Sequence, residues 1–218
     1  MKTVHTKNFR NYSWTSQSQE RESVIEFGCG TGAFTKYLAD YNLEIIGVDI
    51  SEECISYAKK NEIKNTKFIV GDIEHLDFED NSFDIVVASG VLHHFPDFLE
   101  VLKEAYRVLK PGGRFFAYEP NRKNPIMWLY RDKHSPFYSD KGVTSQERPL
   151  AKQEIENNLN KAGFCYTNVF AISGITHTYV KGKFASKFLE IYNYWEKIFD
   201  KIWLSKYFGS FLIVFAKK

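Results

Sequence analysis

The chain reads as an α/β protein built on a doubly wound parallel sheet. Three observations carry that reading. Short apolar runs alternate with amphipathic helical patterns from residue 23 to residue 118, as a parallel sheet with crossover helices requires. A glycine-rich turn, Gly28-Cys29-Gly30-Thr31-Gly32, joins the first apolar run to the first helical pattern. Pro111-Gly112-Gly113 then stops a helical pattern directly before another apolar run.

In chain order, residues 1–22 are polar with isolated aromatics at Phe9, Tyr12 and Trp14, and predict loop or a short helix. Ser23–Phe27 predicts the first strand, with one acid, Glu26, among Val24, Ile25 and Phe27. Thr31–Tyr41 predicts a helix with Phe34, Tyr37 and Leu38 on one face. Glu44–Val48 predicts the second strand, ended by Asp49. The next helix starts at Ser51, a good N-cap with Glu52 and Glu53 in its first turn, and runs to about Lys60. Strands follow at Lys67–Val70 and Phe83–Ala88, a helix from about Asp97 to Lys110, and a strand at Arg114–Tyr118. Residues 120–149 then break the pattern with four prolines and four aromatics, too long for a simple connection. A helix over Ala151–Ala162, stopped by Gly163, and strands at Phe164–Ala171 and Ser210–Ala216 complete the order. The whole of 1–218 is expected to form a single domain, with insertions at 120–149 and 180–206.

Right-handed crossovers put the C-terminal ends of these parallel strands on one rim, where ligands bind. Gly28–Gly32, Asp49, Asp72, Ser89–His94 and Glu119–Asn121 all fall at such ends.

Composition bounds the function. A net charge of +2 gives no basic field for nucleic acid. Three cysteines, Cys29, Cys54 and Cys165, form no C-x-x-C pair and indicate neither a disulfide framework nor a zinc site. Cys29, small enough for the glycine turn, reads as packing rather than as a nucleophile. No stretch approaches the ~20 apolar residues of a membrane span, so the expected compartment is cytoplasmic. Aromatic residues make up 17% of the chain, and much of that excess lies after residue 115.

Gly28, Gly30 and Ala33 satisfy G-x-G-x-x-A, the pattern that seats a dinucleotide pyrophosphate on a helix N-terminus. Gly32 adds a further glycine, and Glu26 places an acid just before the turn. That acid repels a pyrophosphate and suits a ligand carrying an amino group and a sulfonium. Asp49, 21 positions after Gly28, is placed to take ribose hydroxyls, which both cofactor classes possess.

The run from Glu26 through Gly32 resembles the first motif of the class I S-adenosylmethionine (SAM)-dependent methyltransferases. Gly71-Asp72-Ile73, Ser89-Gly90-Val91-Leu92-His93-His94 and Leu109-Lys110-Pro111-Gly112-Gly113 resemble that family's later motifs, and the branch that includes quinone-biosynthesis methyltransferases is the most similar. The resemblance implies a Rossmann-like seven-stranded sheet of order 3-2-1-4-5-7-6 with the last strand antiparallel. It implies SAM as cofactor, held by Glu26, Gly28, Cys29, Gly30, Gly32, Asp49, Ile50, Asp72, Ile73 and Ser89, with Asp72 on the adenine amine and Ile50 and Ile73 beside the ring. Family members carry a helix before the first strand that covers part of the cofactor, and residues 1–22 are too short and polar to supply it.

Methyl transfer needs a general base only if the acceptor keeps its proton. His93 and His94 are the candidates, with Glu119 behind them and Tyr118 or Asn121 as acceptor-orienting groups. No metal-ligand cluster is legible, so a metal-dependent mechanism is not expected. Over 184–205, Phe184, Phe188, Ile191, Tyr192, Trp195, Ile198, Phe199, Ile202 and Trp203 share one helical stripe. That stripe predicts a lid over the rim or, as the alternative, a membrane-surface helix. The acceptor is then a small or lipid-like molecule. The competing readings are an NAD-dependent oxidoreductase and a SAM-binding protein without turnover.

Overall fold

The computed structural model describes residues 21–138, 146–173, 191–195, 197–198 and 204–218. The readings of residues 1–20 and of most of 184–205 lie outside the described residues. One seven-stranded sheet has the order β3-β2-β1-β4-β5-β7-β6. Its strands are β1 (Glu22–Phe27), β2 (Leu43–Asp49), β3 (Thr66–Val70), β4 (Phe83–Ser89), β5 (Leu109–Pro120), β6 (Tyr166–Ile172) and β7 (Phe211–Lys217). The pairings from β3 to β5 are parallel. β7 runs antiparallel to both of its neighbours, as the family resemblance implies.

Strand alternation splits the core in two. Ile25, Phe27, Val86, Ala88, Phe115 and Ala117 face a layer containing Leu102, Ala105 and Leu159. Val24, Ile45, Ile85, Val87, Phe116 and Ile213 face the opposite layer with Leu38. A sheet covered on both faces explains why β1 and β4 read as continuous apolar runs. The covering helices include α1 (Thr35–Leu38), α2 (Glu52–Lys60), α3 (Leu99–Val108), α4 (Pro125–Arg131), α5 (Lys152–Ala162) and α6 (Ser205–Phe208).

Several boundaries differ from expectation, each for a local reason. α1 is shorter than Thr31–Tyr41 because Gly28, Gly30 and Gly32 all take positive φ (+63°, +53° and +80°), a region a right-handed helix cannot include. α3 begins at Leu99 because the Asp97 carboxylate accepts from the Leu99 amide (3.0 Å) and stops the chain extending the helix backward. β5 begins at Leu109, and the register against β4 jumps from Phe83–Leu109 to Ile85–Arg114, so Lys110–Gly113 bulges out of the ladder. Within 120–149 the sequence reading placed no helix, yet α4 forms there. Asn124 caps it, accepting from the Ile126 and Met127 amides at 3.0 Å each, and Pro125 occupies the first turn.

Residues 191–195 and 197–198 are helical. Tyr192 is buried and its hydroxyl lies 2.5 Å from Ser210 Oγ. Ile191 and Trp195 are 56% and 52% exposed, so the described part of the apolar stripe is not buried as one face. Among the described residues no helix is long and apolar enough to cross a membrane.

Candidate active site

The first turn is built around a buried acid. Glu26, next to last in β1, is 1% exposed, and its carboxyl accepts the Thr35 hydroxyl at 2.5 Å. Burial pushes its pKa up to about 8, the Thr35 hydrogen bond offsets part of that, and the nearby Asp49 charge raises it further. The same burial, with the charges of Glu26 and Asp49, pushes the Cys29 thiol up. Cys29 therefore stays protonated and packs, as expected.

Asp49, at the end of β2, fixes the turn. Its Oδ2 accepts from the Gly30 amide (2.8 Å) and its Oδ1 from the Ser51 amide (2.9 Å). Each oxygen keeps a second lone pair for a ligand hydroxyl. The glycines have different physical roles. A Cβ on Gly28 would sit 1.9 Å from Val91 Cγ2, whereas a Cβ on Gly30 would meet nothing within 4 Å. Gly30 thus presents bare backbone to open space. A Cβ on Gly32 would press on Phe68 at 3.1 Å, so this glycine serves packing against β3.

At the end of β4 the chain passes through Ser89 and Gly90 into a 3-10 turn, Leu92–His94. Glu119, fully buried on β5, organises that turn. Its Oε1 accepts from the amides of Val91 (3.0 Å) and Leu92 (2.8 Å). Its Oε2 accepts from the His93 amide (3.3 Å) and lies 2.7 Å from His93 Nδ1. Four partners on one carboxylate leave Glu119 unsuited to the proton-accepting role considered for it; it positions His93 instead. Asn121 is likewise corrected. It is fully buried and its amide donates to the carbonyls of Tyr207 (3.0 Å) and Gly209 (2.7 Å), tying α6 to the sheet.

A cavity of about 650 Å³ opens at this rim, within the range of small-molecule sites. Glu26, Gly28, Cys29, Gly30, Ser89 and His93 line it, together with Phe34, Tyr37, Tyr118, Met127, Arg131, Glu147 and Phe211. Tyr118 and Phe211 stack there at 4.5 Å. Gly32, Asp49, Ile50, Asp72, Ile73, His94 and Glu119 are not on its wall. Asp72 is exposed, its carboxylate accepting from the Glu74 amide (2.9 Å); Ile50 is 74% exposed, and Ile73 packs in the core. His94 has a lowered pKa, first from burial and then from His93 beside it, while the carboxylates of Glu147, Glu119 and Asp49 oppose that shift.

Sequence reasoning missed Met127, Arg131 and Glu147. The Asn124-Pro125 start signal could have revealed α4 and with it Met127 and Arg131 on one face at i, i+4. Nothing local marks Glu147. The sequence also gave no metal-ligand cluster, yet the fold brings one ligand atom from each of His93, His94 and Glu147 to within 4.8 Å of one another.

A glycine turn at the end of β1, an acid ending β2 and a cavity at the carboxyl rim define a protein that binds a nucleoside-bearing cofactor. Residues 25–117 match the family profile described as "Methyltransferase domain". The chain is 31% identical over 173 residues to a demethylmenaquinone methyltransferase of Staphylococcus aureus, covering 69% of this chain and 71% of that protein. It is 37% identical over 125 residues to a demethylmenaquinone methyltransferase of Lactococcus lactis, where the match covers 54% of this chain and 49%, about half, of the relative. A SAM-dependent methyltransferase structure from Archaeoglobus fulgidus shares the fold, with a TM-score of 0.67, 17% identity and coverage of 99% of this chain and 93% of that one. The chain belongs to the class I SAM-dependent methyltransferase family. Of the two cofactors the glycine run leaves open, SAM is therefore the one that applies.

The residues fit that cofactor. Glu26 is a buried carboxyl on the cavity wall whose described contacts provide a hydroxyl and a neighbouring acid but no cation. An ammonium group is what such a site lacks.

Proposed function

We propose that this chain transfers the methyl group of SAM to an apolar, ring-bearing small molecule of the prenylated-quinol type, with His93 receiving the acceptor's proton. The observation that carries the reading is a single cavity wall holding Glu26, the glycine turn and His93 beside Phe34, Tyr37, Tyr118, Met127 and Phe211. The S. aureus and L. lactis relatives, both demethylmenaquinone methyltransferases by name, support an acceptor of this class.

When bound, SAM supplies a methyl group already activated on a sulfonium. The protein's share is therefore alignment and exclusion of water. Glu26 accepts from the cofactor's amino group, the Gly28–Gly30 backbone allows close approach, and Asp49 takes ribose hydroxyls with its remaining lone pairs. Asp72, Ile50 and Ile73, just past the ends of β3 and β2, would hold the adenine, and Ser89 at the end of β4 would contact the cofactor. His93, held at Nδ1 by Glu119, presents Nε2 to the acceptor hydroxyl. The aromatic and methionine side chains hold the ring and the start of its tail.

The test is transfer of labelled methyl from SAM to demethylmenaquinol analogues with and without an isoprenoid tail. The reading expects transfer, with a higher kcat/KM for the tailed acceptor. Equal rates for tailless rings would overturn the apolar-acceptor reading. SAM binding with no transfer to any of these acceptors would favour a cofactor-binding protein without turnover on them.

A further inference from the structure

We propose that His93, His94 and Glu147 form a binding site for a divalent transition-metal ion of the zinc class on the wall of this cavity, with Glu119 as the supporting acid behind His93. The site is convergent although the sequence disperses it. His93 and His94 are consecutive, yet the 3-10 turn keeps their rings together, with centroids 4.2 Å apart. Glu147 arrives from a segment more than fifty residues on. It is held close by its neighbour, whose amide (Arg148) donates to the His93 carbonyl at 3.1 Å. His93 Nε2 lies 3.8 Å from Glu147 Oε1, and His94 Nδ1 lies 3.9 Å from Glu147 Oε2.

Metal–ligand bonds of 2.0–2.2 Å place ligand atoms about 3.4 Å apart in a tetrahedral site. The two imidazole–carboxylate spacings need about 0.5 Å of closure to reach that, and all three ligand atoms already lie within 4.8 Å of one another. The His93 ring is already fixed as a metal ligand would be. Its Nδ1 faces the Glu119 carboxylate at 2.7 Å, which turns Nε2 toward Glu147. A carboxylate behind a ligating imidazole sets its tautomer and raises its basicity as a ligand. Two imidazoles and one carboxylate are a borderline donor set, suited to zinc, cobalt or nickel rather than to magnesium or calcium.

Among the described residues, Arg131 competes with the cation. Arg131 Nη1 lies 4.0 Å from Glu147 Oε1, and that nitrogen is buried without a hydrogen-bond partner among the described residues. It thus balances Glu147 by charge alone, and a divalent ion entering the site displaces it. Arg148, the other nearby cation, is already paired with Glu154. A metal on Nε2 and a proton arriving there exclude each other, so loading the site changes what His93 can accept.

The test uses the full chain, stripped with a chelator and titrated with Co²⁺ followed by visible absorption, then with Zn²⁺ by calorimetry. The expected result is one equivalent bound with the intense visible bands of a low-coordinate cobalt site. His94→Gln and Glu147→Gln each weaken binding at least tenfold, Glu119→Gln weakens it by about 10- to 100-fold, and Arg131→Met tightens it. His134→Ala, at a side chain 82% exposed, serves as the control for surface histidines and changes nothing. Circular dichroism confirms that each variant is folded, and the readout involves no methyl transfer, so the result is separate from the function proposed above. Cobalt spectra of the hexa-aquo type, binding retained in the His94→Gln/Glu147→Gln double variant, or no gain from Arg131→Met would each overturn the proposal.

Discussion

Replacing Glu26 by Gln tests the buried acid on which the cofactor reading rests. In the folded protein the Glu26 carboxyl has its pKa raised from 4.5 to about 8, chiefly by burial. Between those two values the folded state keeps a proton that the unfolded state has released. Stability is therefore full below pH 4.5, declines as pH rises, and has lost this contribution once pH passes about 8. At 1.36 kcal/mol per unit, the loss across that window is on the order of 5 kcal/mol. Gln mimics the neutral carboxyl and still offers an oxygen to the Thr35 hydroxyl. The variant should thus match the wild type near pH 5 and exceed it progressively toward pH 9, by several kcal/mol. Urea unfolding at intervals across that range, without cofactor, reads the difference directly. Parallel pH profiles for the two proteins would refute the argument. The same variant should bind SAM about 10- to 150-fold more weakly, the loss of one charged hydrogen bond of about 1.5–3 kcal/mol. An acid that costs stability and supports binding is the pattern expected of a functional residue.

Four further outcomes are expected. Glu119→Gln leaves at least one of its four donors without an acceptor, costing about 1–3 kcal/mol; stopped assays should show kcat down by about 10²–10⁴-fold with SAM affinity retained. Gly30→Ala costs only the ~1–2 kcal/mol of its left-handed backbone but intrudes on cofactor space, so calorimetry should show weakened SAM binding in a folded protein. Gly28→Ala adds a clash with Val91 and should lower Tm by more than Gly30→Ala does. Met127→Ala should reduce the rate advantage of a tailed acceptor over a tailless one while leaving SAM affinity unchanged; an undiminished advantage would remove α4 from the acceptor site.

What was legible in the sequence follows from how locally each feature is encoded. The alternation of strands and helices, the Ser51 cap and the glycine turn depend on neighbouring residues, and all appear where expected within a few positions. Glu26 stood out because an acid in a buried strand is costly, and the structure shows that cost. The role of Glu119 was misread because its partners, the amides of Val91, Leu92 and His93, come from a loop brought to it only by the β4–β5 pairing. Asn121 was misread in the same way, since its partners lie past residue 206. Gly32 reads as part of the ligand loop by spacing, and its positive φ together with the bulk of Phe68 on β3 requires a glycine there. Glu147 and Arg131 carry no pattern of their own, because what gives them meaning is a cavity assembled from β1, β4, α4 and the segment before α5.

The most direct test of the account is methyl transfer itself. Purified protein, labelled SAM and a demethylmenaquinol with a short isoprenoid tail should give a methylated ring product. That product should be lost in Glu26→Gln at subsaturating SAM, and in His93→Gln even at saturating SAM. A wild-type rate retained by His93→Gln would contradict the proton-accepting role, and no ring product from a protein shown to bind SAM would contradict the proposed acceptor.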